Sequence, residues 1–292
     1  MDLRRLEMLL RLSQAGSMRE VADDLGVTTS TVSQQIAALA REVDTPLLEP
    51  VGRRVRLTPA GRRLADHAVT ILAAAAAARS DLDPLAEPVG TVRVAGFATA
   101  VRRSLLPLVD ELSRSHPHVQ LRIHEHEPLE ALHLLSRDEF DLVLAYDYNL
   151  APASTDSAVE THPLWSVNWG LGVPAVDAAQ HQDMRTPFDL HRDDVWIVNS
   201  RHTADEEVVR LLASMAGFTP AITHRVDSLE LVQDLIRARL GVGLLPLDQP
   251  TSPDVAVIPL REPDVTLRAY AVIRRGRGTW APLALVLDSL AQ

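Results

Sequence analysis

The chain has 292 residues, of which 46% are hydrophobic and 23% charged, a composition typical of a globular protein with two or three domains. It contains no cysteine, which excludes disulfides, thiolate metal ligands and cysteine nucleophiles. No basic segment precedes an apolar run at the N-terminus, and the longest nearly apolar run, residues 68–78, is too short to span a bilayer. We therefore expect a cytoplasmic protein that does not enter a membrane.

The formal net charge of −10 is unevenly distributed along the chain. Residues 1–65 contain ten arginines and eight acidic residues, whereas the remainder contains 19 basic and 31 acidic residues. Five of the N-terminal arginines fall between Glu49 and Asp66, where there is no acidic residue. The basic part of the chain is therefore its N-terminal segment.

Short amphipathic segments near the N-terminus predict a helix-turn-helix. Ser17 and Glu20 form a capping-box pattern at the start of one helix, and Gly26 is suited to end it. Thr28 or Thr29 then caps the next helix, which has apolar residues on one face. Two helices joined by a glycine-containing turn are typical of a DNA-binding motif whose second helix enters the major groove.

Small polar side chains fill the first two turns of that second helix, away from its apolar face. Short hydroxyl and amide groups there can reach phosphates and base edges, and a solvated, well-capped helix face is the alternative interpretation. The residues predicted to contact DNA from the two helices are Ser17, Thr28, Thr29, Ser30, Thr31, Ser33, Gln34 and Gln35.

A β-wing and a long helix are predicted next. Two short apolar runs around Gly52 predict the strands of the wing, and its arginines Arg53, Arg54 and Arg56 are placed to contact the DNA backbone or minor groove. Pro59 begins a helix of about 24 residues that is rich in small side chains. We interpret this helix as a dimerisation stalk because the linker 83–90 separates it from the C-terminal two-thirds of the chain. Packing on its own domain is the alternative.

Taken in order, these segments resemble the LysR-type transcriptional regulators. The opening MDLRRLEMLLRLSQAGSM, the helix-turn-helix, the PLLEPVGRRVRLTPAG wing and the long helix match the N-terminal part of that family. TVRVAGFATAVRRSLLPLV, RDEFDLVLAY, VDSLELVQDLIRARLGVGLLP and AYAVIRRGRG look like its effector-binding domain, so the resemblance covers the whole chain.

The chain departs from the family pattern in its helix-turn-helix. The family commonly has glutamine, proline and arginine where this chain has Thr29, Ser30 and Gln34. Met18 and Val21 also replace a usual phenylalanine and alanine. These differences bear on the operator sequence and not on the fold.

Short β-rich runs alternate with helical ones between residues 91 and 292, which predicts α/β units with parallel strands. The predicted elements include strands over Trp165–Val173, Val195–Val198 and Leu267–Ile273 and a helix over Ala204–Met215. The resemblance implies two Rossmann-like subdomains joined by two crossings of the chain, as in type 2 periplasmic binding proteins. The predicted fold is therefore an all-α winged helix-turn-helix with a long linker helix, followed by an α/β effector domain. The expected boundaries are 1–58 for the winged helix-turn-helix, 59–89 for the linker helix and hinge, and 90–292 for the effector domain, with subdomain I at about 90–162 and 266–292 and subdomain II at about 163–265.

Loops at the carboxyl ends of the predicted strands are the expected effector site, because ligands of open α/β sheets bind there, and family effector sites correspond to the same loops. Thr99 and Ser200 are expected to donate to an anion, with simple N-caps as the alternative, and Arg201 either to pair with a carboxylate or to lie on the surface. Asp147 is expected to face the same crevice, and together with Asp227 it either accepts an amine or binds no ligand. The predicted effector-contacting residues are Thr99, Ala100, Asp147, Asn199, Ser200, Arg201, His202, Asp227 and Ser228.

Other chemistry is weakly indicated. His124 and His126 share a strand face, but no carboxylate or cysteine set completes a metal site in sequence, so a polar strand face is the preferred interpretation. Neither GVGLLP nor GLGVP has the third glycine of a dinucleotide loop, and there is no G-x-S-x-G. We expect neither enzymatic activity nor a cofactor.

The predicted function is a regulator that binds double-stranded promoter DNA and responds to a small-molecule effector, with an anion preferred to a neutral molecule. The resemblance implies a homodimer or homotetramer, RNA polymerase as a candidate partner, and a cytoplasmic, nucleoid-associated location. The alternative is a DNA-binding regulator whose C-terminal domain serves only oligomerisation or partner contact. A crevice lined by apolar and converging polar groups favours the first function, and a crevice filled by its own side chains favours the second.

Overall fold

A computed structural model describes residues 1–51, 54–81, 87–154, 156–181, 187–198 and 204–291. Among these residues, no helix has both the length and the apolar character needed to cross a membrane. The N-terminal elements are α1 (Leu3–Ala15), α2 (Met18–Leu25), α3 (Thr29–Glu42), β1 (Leu48–Val51), β2 (Arg54–Leu57) and α4 (Pro59–Asp81). The predicted helix-turn-helix, two-stranded wing and long helix are therefore confirmed.

Hydroxyl side chains cap the two helices of the motif. At the start of α2, Ser17 Oγ accepts a hydrogen bond from the amide of Arg19 at 3.3 Å. The predicted cap is thus present, but its hydrogen bond comes from the second helical residue. A capping box would require the bond to come from the amide of the third helical residue, Glu20. At the start of α3, Thr28 Oγ1 accepts from the amide of Thr31 at 3.1 Å, which identifies Thr28 as the cap.

The junction between the wing and α4 depends on a glycine. Thr58 Oγ1 accepts from the amide of Gly61 at 3.0 Å and donates to the carbonyl of Pro46 at 2.8 Å, so one hydroxyl both caps α4 and ties it to the chain before the wing. A Cβ atom at position 61 would collide with the backbone carbonyl of Leu47. Only glycine therefore allows α4 to approach the wing this closely.

Helix α4 packs against its own DNA-binding domain over much of its length. Ala65, Ala68 and Val69 are buried in the same hydrophobic cluster as Leu6 of α1. The alternative interpretation, packing on its own domain, therefore holds for this part of α4, where small side chains allow α1 to approach. Dimerisation through the rest of the helix stays a prediction. Ala74, further along, is exposed.

The C-terminal part begins near residue 90 and alternates strands with helices. In the described residues its elements are β3 (Gly90–Gly96), α5 (Ala98–Ala100), a π-turn (Val101–Leu105), α6 (Leu106–Ser115), β4 (Val119–Glu125), α7 (Pro128–Ser136), β5 (Leu142–Tyr148), β6 (Val159–Pro174), two 3₁₀ helices (Ala175–His181 and Pro187–His191), β7 (Val195–Val198), α8 (Ala204–Met215), β8 (Ala221–Arg225), α9 (Leu229–Arg237), β9 (Val242–Pro246), β10 (Val255–Pro259), β11 (Val265–Arg274) and α10 (Ala281–Leu290).

Two groups of parallel strands form the centres of the two subdomains. Strand β3 pairs in parallel with β4 and β5, and β7 pairs in parallel with β8 and β9. The long strands β6 and β11 pair antiparallel with each other and connect the groups into one sheet of order β4-β3-β5-β11-β6-β9-β7-β8, with β10 on β6. The predicted α/β effector fold is therefore confirmed, with crossing strands longer than the sequence indicated.

The DNA-binding domain contacts subdomain I of the same chain. Gln14 Nε2 in α1 donates to Asp138 Oδ2 at 2.5 Å. Arg274 at the end of β11 lies 3.6 Å from a carboxylate oxygen of Asp66 in α4 and 3.8 Å from one of Asp138. The helix-turn-helix and the effector domain are thus joined by polar contacts as well as by the linker.

Candidate functional site

The recognition helix α3 presents a polar surface beside a buried apolar face. Val32 and Ile36 are fully buried in the core of the DNA-binding domain, and this fixes which side of the helix faces outward. The predicted DNA-contacting residues that are exposed are Thr28, Thr29, Ser30, Ser33 and Gln34. These side chains form the surface that an incoming duplex would meet.

Two other predicted DNA-contacting residues are engaged within the domain. Gln35 Oε1 accepts from Arg5 Nε at 2.9 Å, and the guanidinium of Arg5 also pairs with Glu42. The hydroxyl of Thr31 lies 2.9 Å from that of Thr28 as part of the cap of α3. The structure therefore gives Thr31 and Gln35 roles in the architecture of the motif.

Of the three arginines predicted to contact DNA from the wing, the structure describes the side chain of Arg56. Arg56 pairs across the strands with Glu49, donating through Nε at 2.9 Å and through Nη2 at 2.7 Å to the same oxygen. Arg53 lies outside the described residues, as does the side chain of Arg54, whose backbone belongs to β2. Sequence alone does not show that Arg56 already has an internal counterion.

A cavity of about 290 Å³ lies between the two subdomains. Its lining comes from the carboxyl ends of β3, β4 and β5 in subdomain I and of β7, β8 and β9 in subdomain II. These parallel strands end on the same side of the sheet, which is where ligands of α/β proteins bind. Its volume is near the lower end of the range for small-molecule sites, about 300–1,000 Å³.

Aromatic rings form much of the cavity wall. The chain has only four tryptophans, three tyrosines and four phenylalanines, and five of these eleven rings line the cavity. The five form a chain of edge-to-face and tilted contacts with centroid distances of 4.7–6.2 Å: Trp165, Phe97, Tyr146, Tyr148 and Trp169. Such mutual packing holds the rings in place before any ligand binds.

Two of the tyrosines donate to carboxylates in the wall. Tyr146 Oη donates to Glu127 Oε2 at 3.0 Å, and Tyr148 Oη donates to Asp205 Oδ1 at 2.8 Å. Burial, reinforced by the Asp205 charge, raises the pKa of Tyr148 well above its ordinary value. The Tyr148 hydroxyl is therefore a permanent donor that orients Asp205.

Two arginines at the cavity form ion pairs between the subdomains. Both belong to the π-turn after α5: Arg102 donates to Glu230 at 2.8 Å, and Arg103 donates to Asp248 at 2.7 Å. The guanidinium of Arg103 also lies 4.5 Å from the ring centroid of Trp165. These two pairs, which we call the cleft bridges, connect subdomain I to subdomain II at the cavity.

The structure places three of the predicted effector residues in the cavity lining. They are Thr99, Asp227 and Ser228. Thr99 lies within α5, whose N-cap is Phe97, and is therefore not itself the cap. Ser228 caps α9 by accepting from the amide of Leu231 at 3.3 Å. Ala100 is fully buried in the hydrophobic core, and Asn199, Ser200, Arg201 and His202 lie outside the described residues.

The expectation that Asp147 faces the cavity is wrong. Asp147 receives a two-pronged contact from Arg268 at 2.9 and 2.8 Å and a hydrogen bond from the hydroxyl of Tyr270 at 3.2 Å. Side chains alternate along a strand, so Asp147 lies on the face of β5 opposite to Tyr146 and Tyr148, which line the cavity. Its carboxylate stabilises the pairing of β5 with β11.

The sequence interpretation missed the aromatic wall. Tyr146 and Tyr148 on β5, and Trp165 and Trp169 on β6, lie at even spacings, so each pair shares a strand face. Tyr146 and Tyr148 occupy alternate positions at the carboxyl end of β5, which is a parallel strand. In a chain with few aromatic residues, this placement could have indicated the cavity wall from the sequence alone. The partnership of the π-turn arginines with Glu230 and Asp248 joins segments more than 120 residues apart, and no local pattern predicts it.

Metal binding gains no support in the described part of the chain, where no cluster of three or more histidine and carboxylate side chains is arranged to hold an ion. The rings of His124 and His126 are nearly parallel, with their centroids 6.4 Å apart, and both make edge-to-face contacts with the ring of Phe140. His126 Nδ1 lies 3.2 Å from Glu130. His124 is exposed and His126 half-buried at the end of β4.

Comparison with known proteins gives matches over nearly the whole chain. A family described as "LysR substrate binding domain" matches residues 85–292, and one described as "Bacterial regulatory helix-turn-helix protein, lysR family" matches residues 3–62. The transcriptional dual regulator GltC of Bacillus subtilis is 28% identical over 97% of this chain and 94% of its own length. The regulator ShiR of Corynebacterium glutamicum is 28% identical over 98% of this chain and 97% of its own length.

Solved structures show the same fold. A full-length OxyR from Pseudomonas aeruginosa superposes with a TM-score of 0.73 at 21% identity, covering 99% of this chain and 94% of that one. HinK, a LysR family regulator from the same organism, gives a TM-score of 0.58 at 23% identity over 99% of this chain and 97% of its own.

Proposed function

The chain belongs to the LysR family of bacterial transcriptional regulators, and we propose that a small-molecule effector held between its subdomains controls its binding to promoter DNA. The exposed polar surface of α3 would read base edges in the major groove of double-stranded promoter DNA, with the wing on the flanking backbone. The names of its relatives as transcriptional regulators support a regulatory and not an enzymatic role.

The observation that carries the effector proposal is the open cavity between the subdomains. About 290 Å³ of space remains among packed aromatic rings and charged groups, so the described side chains do not fill the crevice. This favours a small-molecule effector over a domain that serves only for association. A ligand that contacts both subdomains can shift the angle between them, because its affinity differs between conformations that have different angles.

Self-association would carry this change to the DNA. Helix α4 has 23 residues and a length of about 34 Å at 1.5 Å per residue, and part of it remains exposed in the protomer. We propose a homodimer or homotetramer in the cytoplasm, with RNA polymerase as a partner at the promoter and no cofactor. A two-fold assembly would place two recognition helices on one operator.

The test separates DNA binding from effector binding. Genomic fragments enriched by the full-length protein should share one operator sequence. The affinity for this operator, measured by fluorescence anisotropy, should change when a metabolite handled by the products of the regulated genes is added. Thr99→Trp places an indole at the cavity lining and should abolish the metabolite response while leaving operator affinity within about twofold. Thr279→Trp, at an exposed position, is the matched control and should keep the response. Failure to enrich any sequence would contradict the DNA part, and an unchanged response in Thr99→Trp would contradict the effector site.

A further inference from the structure

The turn that follows β11 packs directly on helix α4 of the DNA-binding domain. Thr70 Oγ1 in α4 donates to the carbonyl of Arg275 at 3.2 Å. Gly276 has a φ of +79°, and a Cβ atom at this position would collide with the side chain of Thr70. Glycine therefore serves two needs here, because it adopts the left-handed conformation of the turn and leaves room for α4.

Charged and polar side chains extend this contact to a second helix of the DNA-binding domain. Arg274 lies between the carboxylates of Asp66 in α4 and Asp138 after α7, at 3.6 and 3.8 Å. The buried Asp138 also accepts from Gln14 in α1 at 2.5 Å. We call this set the interdomain contact: Gln14, Asp66 and Thr70 of the DNA-binding domain with Asp138, Arg274 and Gly276 of subdomain I.

The interdomain contact leaves the recognition surface of α3 accessible. A cleft of about 370 Å³ lies beside the contact, lined by α1, β2 and α4 on one side and by the end of α7 and Arg274 on the other. The described lining of this cleft includes no residue of α3. The contact therefore fixes the orientation of the DNA-binding domain without covering the surface that a duplex would meet.

Strand β11 connects the interdomain contact to the effector cavity. Leu267 near the start of the strand lines the cavity, and Arg274 is the last residue of the strand. Seven steps of about 3.3 Å separate these residues by about 23 Å. Because β11 pairs with β5 on one edge and with β6 on the other, it is held in the sheet along this distance. A displacement of the crossing strands at the cavity can therefore reach the interdomain contact through a single strand.

We infer that the interdomain contact holds the DNA-binding domain on subdomain I of the same chain and transmits changes at the effector cavity to it. Asp138, Arg274 and Gly276 are positioning residues: they set the orientation of α1 and α4, and they belong neither to the recognition surface nor to the cavity lining. The transmission step rests on the proposed function of the cavity, whereas the docking of the DNA-binding domain does not.

The first experiment measures docking within one chain. Because the chain has no cysteine, Asp24→Cys in α2 and Glu111→Cys in α6, both at exposed positions, provide unique sites for two spin labels. Assemblies prepared with an excess of unlabelled full-length chains let electron–electron double resonance report the distance within a single chain. We expect one narrow distance distribution, and operator DNA should leave it unchanged because the interdomain contact does not cover α3.

Variants on the two sides of the contact should release the DNA-binding domain. Thr70 is exposed on α4, so the indole of Thr70→Trp is compatible with the fold of the DNA-binding domain but not with the approach of Gly276. Arg274→Gln removes the ion pairs with Asp66 and Asp138 from the other side. Both variants should broaden the distance distribution, and Thr70→Ser, which keeps the hydroxyl and the small size, should not.

Two checks separate release from other effects. Sedimentation velocity should give the parental mass for Thr70→Trp and Arg274→Gln, so that a broader distribution does not reflect a different assembly. Circular dichroism detects a folding defect in either variant, and the other variant then decides.

The second experiment tests transmission without a ligand. Arg103→Gln breaks one of the cleft bridges and so changes the cavity directly. We expect it to change operator affinity, measured by fluorescence anisotropy, by at least about fivefold in the parent, which is the lower end of typical coupling between sites. In the Thr70→Trp background the same substitution should change operator affinity by less than about twofold, the scatter expected for independent positions.

Two results would overturn the docking: a broad distance distribution in the parent, or the parental narrow distribution in both Thr70→Trp and Arg274→Gln. Transmission is overturned if Arg103→Gln has no effect in the parent or an equal effect in the Thr70→Trp background. These outcomes leave the proposed function standing, because operator enrichment and the metabolite response of Thr99→Trp are measured separately. If no operator is enriched while the distances behave as expected, the proposed function and transmission are wrong and the docking is right.

Discussion

Arg103 of subdomain I donates to Asp248 of subdomain II at 2.7 Å across the cavity, and the same guanidinium lies over the ring of Trp165. One side chain therefore couples the angle between the subdomains to the surroundings of an indole. Both members of the ion pair are about two-fifths exposed, so the pair contributes at most about 1 kcal/mol to folding stability. The pair matters because it fixes the position of one subdomain relative to the other at the cavity.

Arg103→Gln should expose Trp165 to water without unfolding the protein. We expect the Trp165 contribution to fluorescence, obtained as the difference from the same protein carrying Trp165→Phe, to move to longer wavelength. The free energy of unfolding in urea should change by less than about 1 kcal/mol. Asp248→Asn should move the emission in the same direction, and Arg114→Gln on the exposed side of α6 should not. An unchanged emission in both cleft variants would contradict the bridge.

Asp141 should be among the most sensitive positions of subdomain I. Its carboxylate is 1% exposed and accepts from Arg93 at 2.9 and 3.0 Å and from Arg277 at 3.0 Å. Asp141→Asn leaves two buried or half-buried guanidinium groups without their counterion and should cost about 3–5 kcal/mol in urea denaturation. Glu139→Gln, which breaks the exposed pair with Arg137, should cost less than about 1 kcal/mol.

The contribution of Asp141 should also depend on pH. Burial opposes its charge, but the bonds from Arg93 outweigh burial and hold the pKa of Asp141 below its ordinary value. A carboxyl group with a lowered pKa in the folded state stabilises the fold above its unfolded pKa and loses that contribution as pH falls. The stability difference between the parent and Asp141→Asn should therefore be constant near neutral pH and shrink below about pH 4. A difference independent of pH would contradict the ion pair.

The sequence predicted the fold well because local signals agreed with each other. Ala204–Met215 and Val195–Val198 have the predicted bounds, since periodicity and turn residues mark both ends. Helix α10 was missed: its residues Ala281–Leu290 are apolar over most positions, so no amphipathic period identifies the helix. The cavity was located by the rule on strand ends, but its charge balance depends on contacts between distant segments. Asp147 shows the limit of the rule on strand ends: the rule identified the correct end of β5 but not which of its side chains face the cavity.

Neighbouring glutamines of α3 should separate base reading from stability. Gln34 is exposed, whereas Gln35 accepts from Arg5 within the domain. Gln34→Ala should change the preferred base at one operator position by about 1–3 kcal/mol, measured by selection of binding sites, and leave the melting temperature unchanged. Gln35→Ala should return the parental operator motif and lower stability by about 1 kcal/mol. An unchanged motif with Gln34→Ala would remove this residue from base recognition.

The wing should contribute to affinity without sequence preference. Arg53→Ala and Arg54→Ala should each weaken binding to all DNA sequences and reduce the salt slope by about 1, because fewer counterions are released. Glu49→Gln should act in the opposite direction, since it releases Arg56 from its internal ion pair for contact with phosphate. The measurement is the slope of the logarithm of the affinity against the logarithm of salt concentration, on operator and on unrelated DNA. Equal slopes in all of these proteins would contradict a phosphate contact by the wing.

The exposed part of helix α4 should carry the contact between protomers. A charge at Ile71 or Leu72 is the test that the sequence suggests, but both side chains pack partly against the core of their own domain, so such a change would also disturb folding. Ala74 avoids this difficulty because it is exposed in the protomer. If the exposed part of α4 forms the dimer contact, Ala74→Asp places an unpaired charge in a seam of small residues, at a cost of several kcal/mol.

Sedimentation velocity should then show smaller species for Ala74→Asp than for the parent, and operator affinity should fall because the second recognition helix no longer binds in concert. Ala74→Ser, which keeps the small size without a charge, should sediment like the parent. Circular dichroism and the melting temperature of Ala74→Asp should stay close to parental values, since the position contributes little to the protomer core. If Ala74→Asp kept the parental mass, another surface would carry the assembly, and the exposed Leu106 and Val109 of α6 would be the next residues to change.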